Sequence, residues 1–160
     1  MIKITKTKSA DTRSAEHEVT KEELLSNSLQ HIIDVQKALR LFADLLLRIA
    51  EKHDWTKIAY IDQFYEDFHR VQKHGGDFRE LNWYHRHVSE ERHHLNDRVP
   101  SNVTLLDVLE QVADITMAGL ARSGNVYPDA LSPEVLEKAY QNTIELLKSE
   151  TIIEEETENE

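Results

Sequence analysis

Nine histidines and thirty acidic residues stand in a chain of 160 residues that has no cysteine. Thiolate zinc sites, disulfides and cysteine nucleophiles are therefore excluded, and the chemistry left is that of imidazole and carboxylate. The residues that could supply it fall in a definite order. His31 comes first, then the doublet His53-Asp54 in "RIAEKHDWTK", then His85 and His87 in "NWYHRH". His93-His94 follow in "ERHHL", and Asp107 and Asp114 come last. Imidazole with carboxylate and no sulfur suits Mn, Fe, Co, Ni or Zn in a nitrogen and oxygen environment. Neighbouring residues on a helix point about 100° apart. A His-Asp doublet therefore converges on one ion best at a helix end or bend, and His53-Asp54 sits where an apolar helical pattern stops at Ala50. The plainer reading is a histidine favoured by the helix dipole, followed by an aspartate that caps the next helix.

The elements that must position these groups are helical. Four glycines and three prolines interrupt the chain, and apolar residues recur every three or four positions. Thr20-Lys21-Glu22-Glu23 reads as a capping box, opening a helix whose stripe includes Leu25, Leu29, Ile32, Ile33, Leu39, Phe42, Leu46 and Ile49. A second helix is expected over 57–72 and ends at Gly75-Gly76. A third helical region runs from Phe78 to about Arg98, with a break near Ser89. A fourth covers Leu105 to Ala121 and closes at Gly124, and a fifth starts at Ser132-Pro133-Glu134 and reaches about Lys148. The expectation is an all-α single domain of five to seven helices over 20–149, with a flexible arm at 1–19 and a disordered acidic tail at 150–160. Trp55, Trp83 and Phe64 are expected in the core rather than as platforms for stacking bases. His17, His69 and His74 are expected at the surface.

Charge and hydropathy narrow the function. The formal net charge is −11, and six of the acidic residues lie in "ETIIEEETENE"; without them the body carries −5. An acidic chain does not track a phosphate backbone by general attraction, so general nucleic-acid binding is not expected. No apolar run approaches the roughly 20 residues of a membrane span, and the polar "MIKITKTKSADTRS" lacks the apolar segment of a secretory signal. A cytoplasmic location, in a cell or an infected host, is the simplest expectation.

Helix geometry sets a condition on His31. It lies 22 residues before His53, about 33 Å along one straight helix. Sharing an ion requires the chain to turn back between them, and a break is expected within 38–47. Asp114, among Val112, Ile115 and Met117, should border the core, and an inward carboxylate needs a partner. Asp107 shares its face seven residues earlier, but Thr104-x-x-Asp107 also fits a helix start, the preferred reading. On an unbroken helix His87, Glu91 and His94 would form one solvated or ion-paired stripe.

The order His31, His53-Asp54, Asp114 resembles the H…HD…D signature of the HD-domain metal-dependent phosphohydrolases. Lys57 completes H-D-x-x-K, similar to that family's HD-x-G-K, with Thr56 where Gly often stands. "HDWTKI", "NWYHRH", "ERHHL" and "VADIT" are closer still to small phage and bacterial HD-like proteins of unassigned function. The resemblance spans about 29–147. It implies an HD-like helical bundle in which His31, His53, Asp54 and Asp114 hold one divalent ion. His85 with His93 or His94 could hold a second, with Asp54 bridging. It also implies Mg as a further candidate metal, a small phosphorylated substrate such as a nucleotide, and water activated by the metal. Lys57, with Arg86 or Arg92, would offset charge on phosphate. The alternative is a catalytically silent HD-like protein that acts by binding another protein, as a phage-type inhibitor or regulator.

Overall fold

The capping box forms as its spacing predicts. In the computed structural model, which describes residues 1–6 and 17–155, the Thr20 amide donates to Glu23 Oε2 at 2.8 Å and the Glu23 amide donates to Thr20 Oγ1 at 3.2 Å. Helix α1 (Lys21–Lys52) then continues for 32 residues. The break expected within 38–47 is absent. Neither Gly nor Pro occurs between Lys21 and Lys52, and "ALRLFADLLLRIA" is dominated by strong helix formers, so nothing local forces a turn.

The remaining helices are α2 (Trp55–Ala59), α3 (Ile61–His74), a 3-10 turn (Phe78–Glu80), α4 (Asn82–Glu90), α5 (Leu105–Ser123) and α6 (Pro133–Ser149). The fold is all-α apart from a short two-stranded sheet. The helix expected over 57–72 is two helices, interrupted at Tyr60 (φ −117°, ψ 34°). The helical region expected to reach Arg98 stops at Glu90, and Ser89 does not cap a new helix but donates to the Arg86 carbonyl. Helix α5 opens on the predicted cap, with the Thr104 amide donating to Asp107 Oδ2 at 2.7 Å. It closes at Gly124, whose φ of 73° is the left-handed conformation that favours glycine. No helix among the described residues is long and apolar enough to cross a membrane.

The chain forms two compact units, one of 1–46 with 144–160 and one of 47–143. The first corrects the expectation for both chain ends. Strand β1 (Ile2–Lys6) pairs in parallel with β2 (Thr151–Glu155), with Ile4 opposite Ile153. Opposite charges flank the ladder, Lys3 with Glu154 at 2.7 Å and Lys6 with Glu155 at 3.2 Å. Residues 7–16 of the expected arm and 156–160 of the expected tail lie outside the described residues. The Lys37 ammonium donates to the Lys3 carbonyl and ties α1 to β1.

The second unit carries a small apolar core of Leu95, Val103 and Ala139, with Leu105, Val108, Leu131 and Val135 around it. Beside it stands an aromatic stack. Trp83 is buried, with Phe64 on one face at 3.8 Å and His87 on the other at 4.8 Å between ring centroids, both 12° from parallel. Trp83 thus belongs to the core as expected and Phe64 is half-buried against it, whereas Trp55 is exposed. The stack fixes the plane of a histidine ring.

Candidate metal centre

The site lies wholly in the second unit and starts at the end of α1. His53 and Asp54 occupy the two-residue link between α1 and α2, the bend that the doublet needs. Asp54 has φ 57° and ψ 24°, the one non-glycine residue with positive φ among those described. Aspartate tolerates this left-handed conformation better than most residues, and it starts α2 at once. The link sets the Asp54 carboxylate between two groups of histidines.

On one side stand His53, His93 and Asp114. His53 Nε2 is 3.4 Å from Asp54 Oδ2 and 3.7 Å from Asp114 Oδ1. His93 Nε2 is 3.7 Å from Asp54 Oδ1 and 3.9 Å from Asp114 Oδ2. Donors about 2.1 Å from one ion stand about 3.4 Å apart in a tetrahedron; His53, Asp54 and His93 approach that spacing, and Asp114 lies beside them at 3.7 and 3.9 Å. On the other side, His87 Nε2 is 3.5 Å from Asp54 Oδ1 and 2.7 Å from His94 Nε2. His53, Asp54 and His93 form one group able to hold a metal ion, and Asp54, His87 and His94 form a second, with donor atoms in each within 4.8 Å of one another. Asp54 belongs to both.

Two buried atoms leave room for a cation. Asp54 Oδ1 and His93 Nε2 have no hydrogen-bond partner, and each such group costs about 1–3 kcal/mol when left unpaired. They face each other, and a metal ion would satisfy both. Glu110 stands behind. Its Oε1 is 3.0 Å from His53 Nδ1 and 3.1 Å from His93 Nδ1, the second an ion-pair contact rather than an aligned hydrogen bond. A carboxylate on Nδ1 holds the proton there and leaves Nε2 free to ligate. Glu110→Gln is expected to weaken divalent-ion affinity about 10–100-fold with the thermal unfolding profile of the metal-free protein retained, measured by calorimetric titration and circular dichroism.

The electrostatics match. Burial pulls His93 down, but Glu110, helped by Asp54 and Asp114, lifts it above the ordinary imidazole value. Burial would raise Asp54 and Glu110, yet Lys57, His53 and His87 hold the first, and His93 and His53 the second, below their usual range. Three carboxylates around two imidazoles thus demand positive charge. On the other side, burial and then His94 push His87 down to about 3, and burial with His93 lowers His94. These rings are neutral at pH 7, the form that binds metal.

The residues singled out in the sequence divide accordingly. His53, Asp54, His93, His94 and Asp114 come together. His31 does not join them. It lies in the first unit, lining a pocket with Asn27, Gln30, Asp34 and Lys6, and the unbroken α1 removes the turn on which its sharing the ion depended. His85 is exposed and belongs to neither group; His87, two residues on, takes the position assigned to it. Arg92, expected to offset charge on phosphate, is held by Asp107 at 2.6 and 2.9 Å and by the Asn102 carbonyl at 3.0 Å, which braces the loop against α5. Asp107 is the helix cap, as preferred. Arg86 lies over the Tyr60 ring and pairs with Glu90. Lys57 contacts Asp54 Oδ2 directly. The stripe of His87, Glu91 and His94 does not exist as a helix face, because α4 ends before two of them.

Sequence reasoning missed Glu110. The signal was present, since Asp107, Glu110 and Asp114 repeat at three and four residues and therefore share one face of α5. It also missed the buried pair Thr56 and Glu91. No protein-family model matches the chain, and neither does any curated protein or solved structure.

Proposed function

We propose that the protein is a divalent-metal-dependent phosphohydrolase of the HD type, acting on a nucleotide or another small phosphate ester. The observation that carries the reading is Asp54 shared between two groups of neutral or carboxylate-backed histidines, with a lysine on its outer oxygen. Six imidazole and carboxylate side chains without sulfur favour Mn, Fe, Co, Ni or Zn; Mg, which prefers oxygen donors and water, suits the imidazole-rich side less. A bound ion supplies a Lewis acid for a phosphoryl oxygen and lowers the pKa of its water.

The chain's own residues do the rest. Asp54 Oδ1 faces both His93 Nε2 and His87 Nε2, while Oδ2 faces His53 Nε2, so one carboxylate serves both positions. Glu110 orients His53 and His93. Lys57, half-buried and one turn beyond Asp54, neutralises the carboxylate in the metal-free protein and is positioned to move its charge onto a substrate phosphate. The test is phosphate release from a panel of nucleotides and p-nitrophenyl phosphate, with Mn, Co, Ni, Zn and Mg added singly. Metal-dependent hydrolysis that a chelator removes and metal restores is the expected result, with Lys57→Ala lowering kcat by about 100-fold while cation affinity is kept. Purified protein that carries no divalent metal, and whose melting temperature no added ion raises, would refute the reading.

A further inference from the structure

Thr56 is the least exposed polar side chain near the site and meets the candidate ligand His87 at Nδ1. It is fully buried in the first turn of α2. Its amide donates to Glu91 Oε1 at 3.0 Å, its hydroxyl donates to the same oxygen at 2.7 Å, and its Oγ1 lies 2.6 Å from His87 Nδ1. A hydroxyl has one proton to give. The Glu91 carboxylate can only accept, so its 2.7 Å contact takes the hydroxyl proton, and Thr56 Oγ1 is left to accept from His87 Nδ1. That places the imidazole proton on Nδ1 and the lone pair on Nε2.

The geometry points to Thr56, backed by Glu91, as the positioning residue that sets the tautomer of His87 and so readies the Asp54–His87–His94 position for a second divalent ion. This rests on the metal-centre reading above. Trp83 fixes the plane of the His87 ring by stacking, and Thr56 fixes its proton. Nε2 is thereby aimed at Asp54 Oδ1, 3.5 Å away, an oxygen with no hydrogen-bond partner. Glu91 is itself buried and outside α4. The chain leaves its helix there, and the two Thr56 donors satisfy the carboxylate at that exit. The arrangement mirrors Glu110 on the other side, with a hydroxyl in place of a carboxylate. A hydroxyl adds no negative charge, so the His87 side gains an oriented ligand without raising its basicity as Glu110 does.

Two measurements test it. Nitrogen-15 NMR of the metal-free protein reports which ring nitrogen of His87 carries hydrogen. Nδ1–H is expected in the wild type and in Thr56→Ser, and a shift toward Nε2–H in Thr56→Val, which keeps the shape and removes the hydroxyl. Titration with Co²⁺, followed by visible absorption, is expected to show two equivalents in the wild type and in Thr56→Ser. In Thr56→Val the second equivalent should weaken about 10–100-fold while the first is unchanged. Nε2–H in the wild type overturns the inference, and that spectrum decides even if Thr56→Val fails to fold. So does Thr56→Val taking both equivalents as the wild type does, or Thr56→Ser losing the second equally. A wild type that takes only one equivalent overturns the inference and leaves the first position standing. One that takes none removes both.

Discussion

Asp54→Asn is expected to give a folded protein that binds no divalent ion at either position. Asparagine is among the few residues that accept the left-handed backbone found at Asp54, so the link between α1 and α2 should survive. What goes is the charge and one of the two ligating oxygens. Because both histidine groups converge on this one side chain, a single substitution acts on both. Loss of outer partners alone costs 10–100-fold in metal affinity, so loss of this ligand should exceed about 100-fold. Calorimetric titration and Co²⁺ absorption measure it, with circular dichroism to confirm the helices. Phosphate release should fall with it. Wild-type affinity in the variant would mean that the ion sits elsewhere.

The second large effect is a contrast between two histidines. His93→Ala should abolish tight binding, because His93 Nε2 faces both Asp54 and Asp114 and its Nδ1 faces Glu110. His31→Ala should leave cation affinity within about 0.5 kcal/mol of the wild type, the range of substitutions away from any special feature. The resemblance to HD proteins predicts the reverse importance for His31. If His31→Ala abolishes binding as His93→Ala does, a centre contained in 47–143 is wrong. The two variants can be compared in one titration series.

What the sequence discloses and what it hides follow from range. Thr20 with Glu23, Gly124, and Pro133 act within a turn, and each predicted boundary stands. The His53-Asp54 doublet at a helix end is equally local, and its special geometry is the left-handed Asp54. His31 misled because its place in the site depended on a resemblance, and the chain offers no Gly or Pro to make the necessary turn. His85 and His87 lie two residues apart and so face nearly opposite sides of α4. Choosing between them required knowing which face Trp83 buries. Where the chain leaves the helix at Glu91, its carboxylate accepts from Thr56, 35 residues earlier, a long-range contact that no local pattern signals. The terminal strands pair across nearly the whole chain, where no local pattern announces a partner.

The central claim is that one cation lies among His53 Nε2, the Asp54 carboxylate, His93 Nε2 and Asp114. Crystals grown with Co²⁺ and measured above and below the cobalt absorption edge test it most directly. The expected result is an anomalous peak within about 2.0–2.2 Å of donor atoms from those residues. A peak confined to other residues, or a well-ordered site with none, would contradict it.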